Sequence, residues 1–538
     1  MRAEFLAYFA GYIALVVAAG LAFSRKTKSL EDFFLASRDL PGGLIFLALT
    51  SSWFGATSLL VSTDRAMANG VSAFWIMGLP AVGTVLVLAL VIARPLRRFE
   101  IMSLPDLVEL RYGRLVRHMA AALIILYMIM LAASQLVAIG QFLKTFLGLP
   151  YLWSLAAGAA VVLAYSAFGG LRSVVFTDIV KFPLLVIGVG GLAVFVAGRV
   201  AKMGGLGAVL SAAHAGAGAG GRVALDLAAA GAGVGGGVGG RVALDLAAAS
   251  AGVGGLTGAG AGAAAGAVIG AGAGGAAGTA GVWGAAGYLD FFHNIGENAL
   301  IALSFVLAWT ISPIALQRIQ AARSLGAAKR GLFGAAASLF VLYGLVVFIG
   351  IASARLFAGA PLSGPVVSEI IATKAGPAFG GILFVAVLGA ILSTMDTAVN
   401  TGALSLTRDV FQQAVPLARA RPVLAGRVAT VIVAVLAFAV AARLQNILKT
   451  IGLASEIMAE GLFVPGMAMI FNKRRVPLAG LLSLGLGGGF AALSFLGAAG
   501  ILPLGLPAWP FSVPWGVGLS AVGYAVGYAI NRGSGLNF

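Results

Sequence analysis

The sequence predicts an all-α polytopic membrane protein of about 13 transmembrane helices, with two inverted halves of five spans each. The 538 residues are 60% hydrophobic and only 10% charged, and their mean hydropathy is +1.03. Apolar segments of about 20 residues, long enough to cross a bilayer as a helix, recur along the chain. Two of these segments are interrupted by small and polar residues at corresponding positions of the two halves, which is typical of transporters.

This composition excludes a soluble globular protein. The net charge of +17 does not indicate nucleic acid, because most basic residues lie in loops that share one predicted side of the membrane. That bias predicts an N-terminus outside and a C-terminus in the cytoplasm, in a cell (inner) membrane, with the lipid bilayer as partner. Cysteine is absent, so neither a disulfide framework nor a thiolate metal site is expected.

The first predicted half covers residues 42–197, after an initial span that begins at Phe5. Its first span is interrupted by SSWFGATS, residues 51–58, which predicts unwound backbone. After the next span, the amphipathic stretch LPDLVELRYGRLVR is expected to lie along the membrane surface. The last span of this half carries Asp178 and Lys181, which are three residues apart and could pair with each other.

Residues 204–281 are rich in Gly and Ala, and the segment GGRVALDLAAA occurs there twice. We expect an external loop expanded by duplication, with a membrane-associated pair of helices as the alternative. The second predicted half, 297–471, opens with a span interrupted by TISP at Thr310–Pro313. A short external helix is expected between Arg355 and Pro377, and two additional spans over 476–530.

The most polar of the predicted spans runs from Gly381 to Asp409. Hydroxyl side chains spaced by four share one helical face, and Asp396 and Asn400 lie beside it. Because an ionisable side chain at the centre of a spanning helix costs at least about 2.5 to 3.5 kcal/mol, its default interpretation is a pathway or a site. The alternative is that the hydroxyls bond to their own helix and hold it against its neighbours.

Unwound backbone at membrane depth must line a cavity or be buried in protein, and its freed carbonyls can then bind a cation. Neutral carbonyl and hydroxyl oxygens suit a hard monovalent ion such as sodium. The sequence has no Walker loop and no His, Cys and carboxylate cluster with zinc spacing, so neither an ATPase nor a metalloenzyme is expected. We therefore expect no enzyme activity and no catalytic residues.

Several segments in order resemble the sodium:solute symporter family, whose fold is the LeuT-type inverted repeat with broken first and sixth core helices. These segments are FFLASRDLP, LPDLVELRYG, YSAFGGLRSVVFTD, QRIQAARS, AILSTMDT and LTRD. The resemblance implies sodium ligands on the first broken helix and the eighth core helix: the carbonyls of Ser51, Phe54 and Ala390 and the hydroxyls of Ser393 and Thr394. It also implies a possible second cation site at Asp178, which Ser393 or Asp396 would join.

The solute-binding residues carry over less directly from the family. Trp53 is a candidate to stack on a solute or to lie over a quaternary amine, a contact worth up to about 2 kcal/mol when desolvated. Thr57, Trp309 and Ser312 are similar candidates, and the alternative for Trp53 is packing between helices. The solute itself and the oligomeric state are not predicted.

The predicted function is sodium-coupled secondary active symport of a small organic solute by alternating access. One alternative is proton coupling, with Asp178 or Asp396 as the titrating group. Another alternative is a solute-sensing membrane receptor.

Overall fold

The structure is a computed structural model that describes residues 3–24, 29–99, 101–205, 288–358, 362, 364–498 and 502–533. Within these ranges the chain is helical, apart from turns, loops and an isolated β-bridge between Leu40 and Ala322. The predicted Gly/Ala-rich loop lies outside the described residues, except for positions 204 and 205.

The helices that precede the predicted loop include short ones around the first predicted break and two long ones, α8 and α9. They are α1 (Ala3–Ser24), α2 (Leu30–Leu35), α3 (Gly42–Trp53), α4 (Ser62–Asn69), α5 (Gly78–Val87), α6 (Ala93–Leu96), α7 (Leu104–Tyr112), α8 (Arg114–Leu147) and α9 (Tyr151–Ala201). A π-helical turn, Thr57–Val61, leads into α4, and a second, Leu88–Ile92, joins α5 to α6.

The helices that follow the predicted loop repeat this pattern of one broken helix and several long ones. They are α10 (Ile295–Thr310), α11 (Pro313–Ala321), α12 (Leu325–Leu356), α13 (Val366–Glu369), α14 (Pro377–Ser405), α15 (Gln412–Ala414), α16 (Pro416–Ala420), α17 (Pro422–Arg443), α18 (Ile447–Phe471), α19 (Pro477–Ala498) and α20 (Val513–Gly533). The short α13 lies where an external helix was expected.

Ten helical segments in the described ranges are long and apolar enough to cross a membrane. Three shorter apolar helices accompany them: Glu4–Ala19, Gly42–Trp53 and Tyr151–Ala164. One of the ten segments, Thr57–Leu96, is interrupted at Gly70, where φ is 68°. The protein is therefore a polytopic helical membrane protein, and the figure of about 13 crossings stays a prediction.

Both predicted interruptions are present as breaks in helices. Helix α3 ends at Trp53, and Phe54 leaves the helical region with φ −106° and ψ 73° before helical backbone resumes at Thr57. Helix α10 ends at Thr310, and α11 begins at Pro313. Proline lacks the N–H that would continue the helix, and it disfavours the helical conformation in the residue before it, so Ser312 has ψ 124°.

Helix α9 is divided at Gly170, in agreement with two predicted spans on either side of the GGLRS segment. Gly170 has φ 56° and ψ −150°, a conformation that L side chains rarely adopt. A β-carbon at this position would also overlap the carbonyl oxygen of Phe33. The glycine therefore permits both the change of direction and the close approach of α2.

Helix α14 lies at the centre of the protein and is buried along most of its length. It packs against α8, α9 and α3, while α3 also packs against α9 and α12. The backbone N–H of Leu40 donates to the carbonyl of Ala321 at 3.0 Å, and the N–H of Arg323 donates to the carbonyl of Leu40 at 3.0 Å. These bonds join the segment before α3 to the segment after α11, so the two broken helices are connected directly.

Candidate cation and solute site

The polar face of α14 meets the end of α3 at the first break. The Ser393 hydroxyl lies 2.7 Å from the carbonyl oxygen of Ser51 and 2.9 Å from that of Ala390. The Thr394 hydroxyl is 3.5 Å from the same Ala390 carbonyl. These four residues are all buried. The structure thus brings together two carbonyl and two hydroxyl oxygens from helices that are more than 300 residues apart in sequence.

Phe54 is the remaining residue that the family resemblance implied as a ligand. Its non-helical ψ of 73° turns its carbonyl away from the axis of α3. The Phe54 ring is fully buried and contacts Tyr343, with the ring centroids 5.3 Å apart. The side chain therefore packs between helices, and only the backbone of this residue is available to the site.

Gly55 fits tightly between the break and two polar side chains. A β-carbon at this position would overlap the Thr394 hydroxyl, and it would lie 2.7 Å from Oε1 of Gln135. Gln135 Oε1 accepts a hydrogen bond of 2.9 Å from the backbone N–H of Ala56, one of the donors released by the break. Sequence reasoning missed Gln135, whose only signal was an amide inside an otherwise apolar span.

The chemistry of this oxygen set suits a hard monovalent cation. The ligating atoms are neutral carbonyls and hydroxyls, which replace water around such an ion without a strong charge. A hydroxyl that now donates to a carbonyl can rotate and present its lone pairs to a cation. Among the described residues, no three His, Cys, Asp or Glu side chains group together as a transition-metal site would require.

A cavity of about 40 Å³ adjoins these oxygens. All four residues predicted to bind solute line it, and the complete lining is Ser52, Trp53, Gly55, Thr57, Ser58, Met77, Tyr127, Leu131, Gln135, Trp309, Ser312, Ile314, Thr394 and Ile451. Thr394 therefore borders both the cavity and the oxygen cluster. The Trp53 and Trp309 rings face the cavity from the two breaks, with their centroids 5.6 Å apart.

Aromatic and polar neighbours hold the cavity walls in position. The Trp309 ring stacks on Phe305 with the centroids 5.0 Å apart. The hydroxyls of Ser58 and Tyr343 are 2.7 Å apart, and Ser58 also donates to the carbonyl of Trp53. Sequence reasoning missed Tyr127 and Tyr343, because one aromatic residue in an apolar span does not reveal which side faces a cavity.

A buried arginine lies beside the oxygen cluster. Arg318 of α11 is fully buried and donates to the Thr397 hydroxyl at 3.1 Å and to the Ser52 hydroxyl at 3.3 Å. The Ser52 and Thr397 hydroxyls are themselves 2.8 Å apart. These contacts join both broken helices to α14. Ser52, which takes part in them, directly follows Ser51 on α3.

The two aspartates of the predicted second cation site lie on α9 and α14. Lys181 Nζ is 2.5 Å from Oδ2 of Asp396, so its hydrogen-bonded partner is not Asp178, three residues away on the same helix. The sequence left that local pairing open, and the structure corrects it, because the packing of α9 on α14 directs the lysine across the interface. Both oxygens of Asp178 are buried without a hydrogen bond in the structure.

The comparison with known families agrees with this architecture. The sodium:solute symporter family model matches residues 33–225 and 249–487, which together are most of the chain. The chain belongs to the sodium:solute symporter family. Proteins of this family are transporters, and the family name identifies sodium as the ion that is transported with the solute. The predicted sodium ligands and the predicted solute residues lie within the matched ranges.

Individual relatives in this symporter family are distant. A sodium/glucose cotransporter from Vibrio parahaemolyticus is 29% identical over 185 residues, which are 34% of this chain and 34% of the relative. The sodium/pantothenate symporter of Escherichia coli (strain K12) is 27% identical over 215 residues, 38% of this chain and 44% of the relative. The alignments therefore span less than half the length of these relatives.

The fold of this chain has a solved counterpart. A structure described as the substrate-bound outward-open state of a Na⁺-coupled sialic acid symporter superimposes with a TM-score of 0.69. The match covers 97% of this chain and 96% of the other, at 16% sequence identity. At that identity the likeness establishes the LeuT-type fold.

Proposed function

We propose that this protein is a sodium-coupled secondary active symporter of a small organic solute that works by alternating access. The proposed sodium ligands are the carbonyls of Ser51, Phe54 and Ala390 and the hydroxyls of Ser393 and Thr394. The observation that carries this proposal is the 2.7 Å approach of the Ser393 hydroxyl to the Ser51 carbonyl at the break in α3.

Coupling follows from the origin of these ligands on two different helices. An ion with equal affinity for two conformations shifts no equilibrium, whereas an ion that binds one conformation more tightly favours it. When α3 and α14 separate, the carbonyl of Ser51 leaves the hydroxyl of Ser393, and the ligand set is divided. Sodium therefore stabilises the conformation in which the two helices are in contact.

The cavity that adjoins Thr394 is proposed as the solute site. Trp53 and Trp309 supply two aromatic faces, and Thr57 and Ser312 supply hydroxyls. None of the described residues that line the cavity carries a formal charge. A neutral solute, or a quaternary amine held by cation–π contact, suits such a lining better than a compact anion. At about 40 Å³ the cavity is close to the volume of one water molecule, so solute binding requires the walls to separate.

The proposed orientation places the N-terminus outside and the C-terminus in the cytoplasm of the cell (inner) membrane. It is supported by the basic segment 472–475, NKRR, between α18 and α19, and by the basic residues around α7. Both lie on the side that the positive-inside bias assigns to the cytoplasm.

Transport of radiolabelled solutes into proteoliposomes tests this function. Ligand-dependent thermal shifts, with and without sodium, first select solutes from a panel that includes proline, glucose, pantothenate and choline, because a ligand of the folded state raises stability. An inward sodium gradient is then expected to drive uptake of the selected solute. Uptake that persisted without sodium and collapsed with the proton gradient would contradict the proposal and support proton coupling.

The Thr394→Ala variant tests the sodium ligands. It removes one hydroxyl ligand with little change in packing, so half-maximal uptake is expected to require about tenfold more sodium, as for the loss of about 1.4 kcal/mol of ion binding. Thr430→Ala is the matched control, because Thr430 is a buried threonine on α17 whose hydroxyl bonds to the carbonyl of Gly426 in its own helix. Equal sodium dependence in the two variants would show that Thr394 is not a ligand.

A further inference from the structure

The ammonium group of Lys181 lies where the sequence predicts a second cation site. Its Nζ atom is 2.5 Å from Oδ2 of Asp396, and both side chains are almost completely buried. Asp178, the other carboxylate of the predicted site, lies one turn away on the helix of Lys181. Lys181 and Arg318 are both close enough to Asp178 to interact with it electrostatically. Lys181 therefore lies among the oxygen atoms that a second metal ion would need.

Among the described residues, the ionised side chains around Lys181 balance in charge within a small volume. Asp178 and Asp396 contribute two negative charges, and Lys181 and Arg318 contribute two positive ones. Arg318 is held by the Ser52 and Thr397 hydroxyls and interacts electrostatically with both aspartates. Each charge is fully or almost fully buried. Buried charges are tolerated when they are paired, so the cluster is complete without an added ion.

A second sodium at this position would meet two obstacles. One is the loss of a ligand, because Oδ2 of Asp396 already accepts a hydrogen bond from Lys181. The other is repulsion, because the ion would lie close to the Lys181 ammonium and the Arg318 guanidinium in an interior where like charges repel more strongly than in water. The main sodium site differs, since its proposed ligands are neutral carbonyl and hydroxyl oxygens.

We infer that Lys181 is a built-in cation, whose ammonium occupies the place of a second sodium beside Asp396 and Asp178, and that the transporter consequently binds one sodium ion per cycle. This inference rests on the proposed sodium coupling and specifies its stoichiometry. It makes Lys181 a residue that determines how many ions bind. A purely structural ion pair would stabilise the contact of α9 with α14 but would leave the number of bound ions unchanged.

The test is the saturating amount of radioactive sodium bound by the purified full-length protein in detergent. The wild-type protein is expected to bind one sodium ion, and Lys181→Gln is expected to bind two, a twofold increase. The glutamine leaves the cluster with one excess negative charge and removes the Lys181 ammonium from Oδ2 of Asp396. Lys181→Arg keeps the cation and is expected to bind one ion.

Two further variants separate ion binding from misfolding. Lys181→Gln/Asp396→Asn restores a neutral cluster and is expected to return to one ion. Lys181→Gln/Thr394→Ala weakens the main site about tenfold, so at a sodium concentration that just saturates Lys181→Gln it is expected to bind fewer than two ions, and the missing binding belongs to the main site. A thermal unfolding midpoint measured for each variant identifies any that has lost its fold.

The outcomes distinguish this inference from the proposed function. Two ions on the wild-type protein, or one ion on a folded Lys181→Gln variant, would overturn the role of Lys181 and leave sodium coupling intact. If Lys181→Gln is unfolded, the wild-type value and the Lys181→Gln/Asp396→Asn value decide, and two ions on either would overturn the inference. A wild-type protein that binds no sodium would instead contradict the proposed function, and it would contradict this inference as well.

Discussion

At the scale of single residues, the candidate site depends on positions where little space is left. Gly55 lies close to both the Thr394 hydroxyl and the amide oxygen of Gln135. That amide oxygen accepts a hydrogen bond from the backbone N–H of Ala56 at the break. An unpaired buried N–H costs about 1 to 3 kcal/mol, so this amide helps to keep the unwound backbone stable. The same break exposes the carbonyls that the ion would use.

Gly55→Ala is expected to weaken sodium binding. The added methyl group overlaps the Thr394 hydroxyl, and overpacking of this kind costs about 1 to 3 kcal/mol, so the sodium affinity should fall about tenfold. Titration of sodium-dependent thermal stabilisation measures the effect. Gly43→Ala, on the helix that leads to the break, is the control, because no atom lies within 4 Å of its added methyl group. Equal sodium affinities for the two variants would contradict this account of Gly55.

At the scale of elements, ion pairs hold the segment that follows α14 to α7. Arg117 at the start of α8 contacts Asp106 at 3.0 Å, Asp409 at 2.9 Å and Glu109. Asp409, which follows α14, also accepts a hydrogen bond of 2.9 Å from the Ser103 hydroxyl. The helix that carries the proposed sodium hydroxyls is therefore anchored beyond the site.

Arg117→Ala is expected to destabilise the protein by about 3 to 5 kcal/mol, because it leaves the buried carboxylate of Asp409 without its cation. The thermal unfolding midpoint of the purified protein should fall clearly. Arg114→Ala, three residues earlier, should change little, because its side chain is 89% exposed and its contact with Glu109 is 3.4 Å. A similar midpoint for both variants would show that this ion pair does not anchor α14.

At the scale of the whole molecule, function requires that the halves face the correct sides of the membrane. The proposed orientation follows from the distribution of basic residues. The segment between α18 and α19 is assigned to the cytoplasm, and the segment between α13 and α14 is assigned to the outside. Lys473 in the first of these segments and Lys374 in the second are exposed.

Cysteine labelling in intact cells tests this orientation, because the native sequence contains no cysteine. Lys374→Cys is expected to react with a thiol reagent that cannot cross the membrane. Lys473→Cys is expected to react only after the cells are opened. Labelling of Lys473→Cys from outside, with protection of Lys374→Cys, would reverse the proposed topology.

Much of the fold was predictable because its signals are local. Gly, Ser and Pro residues marked both helix breaks, and the four-residue spacing of hydroxyls marked the polar face of α14. The contact between Lys181 and Asp396 was not predictable, since 215 residues separate the two side chains in sequence and only helix packing brings them together. Gln135 was missed for the same reason, because a single amide in an apolar span does not reveal its partner.

The most direct test of the central claim is equilibrium binding of radioactive sodium to the purified wild-type protein and to a Ser393→Ala/Thr394→Ala variant. The claim is that the break in α3 and the hydroxyls of α14 together form the sodium site. We expect saturable binding to the wild-type protein, in competition with unlabelled sodium but not with potassium. We expect the folded double variant to lose this binding. Binding of equal affinity to both proteins would contradict the claim.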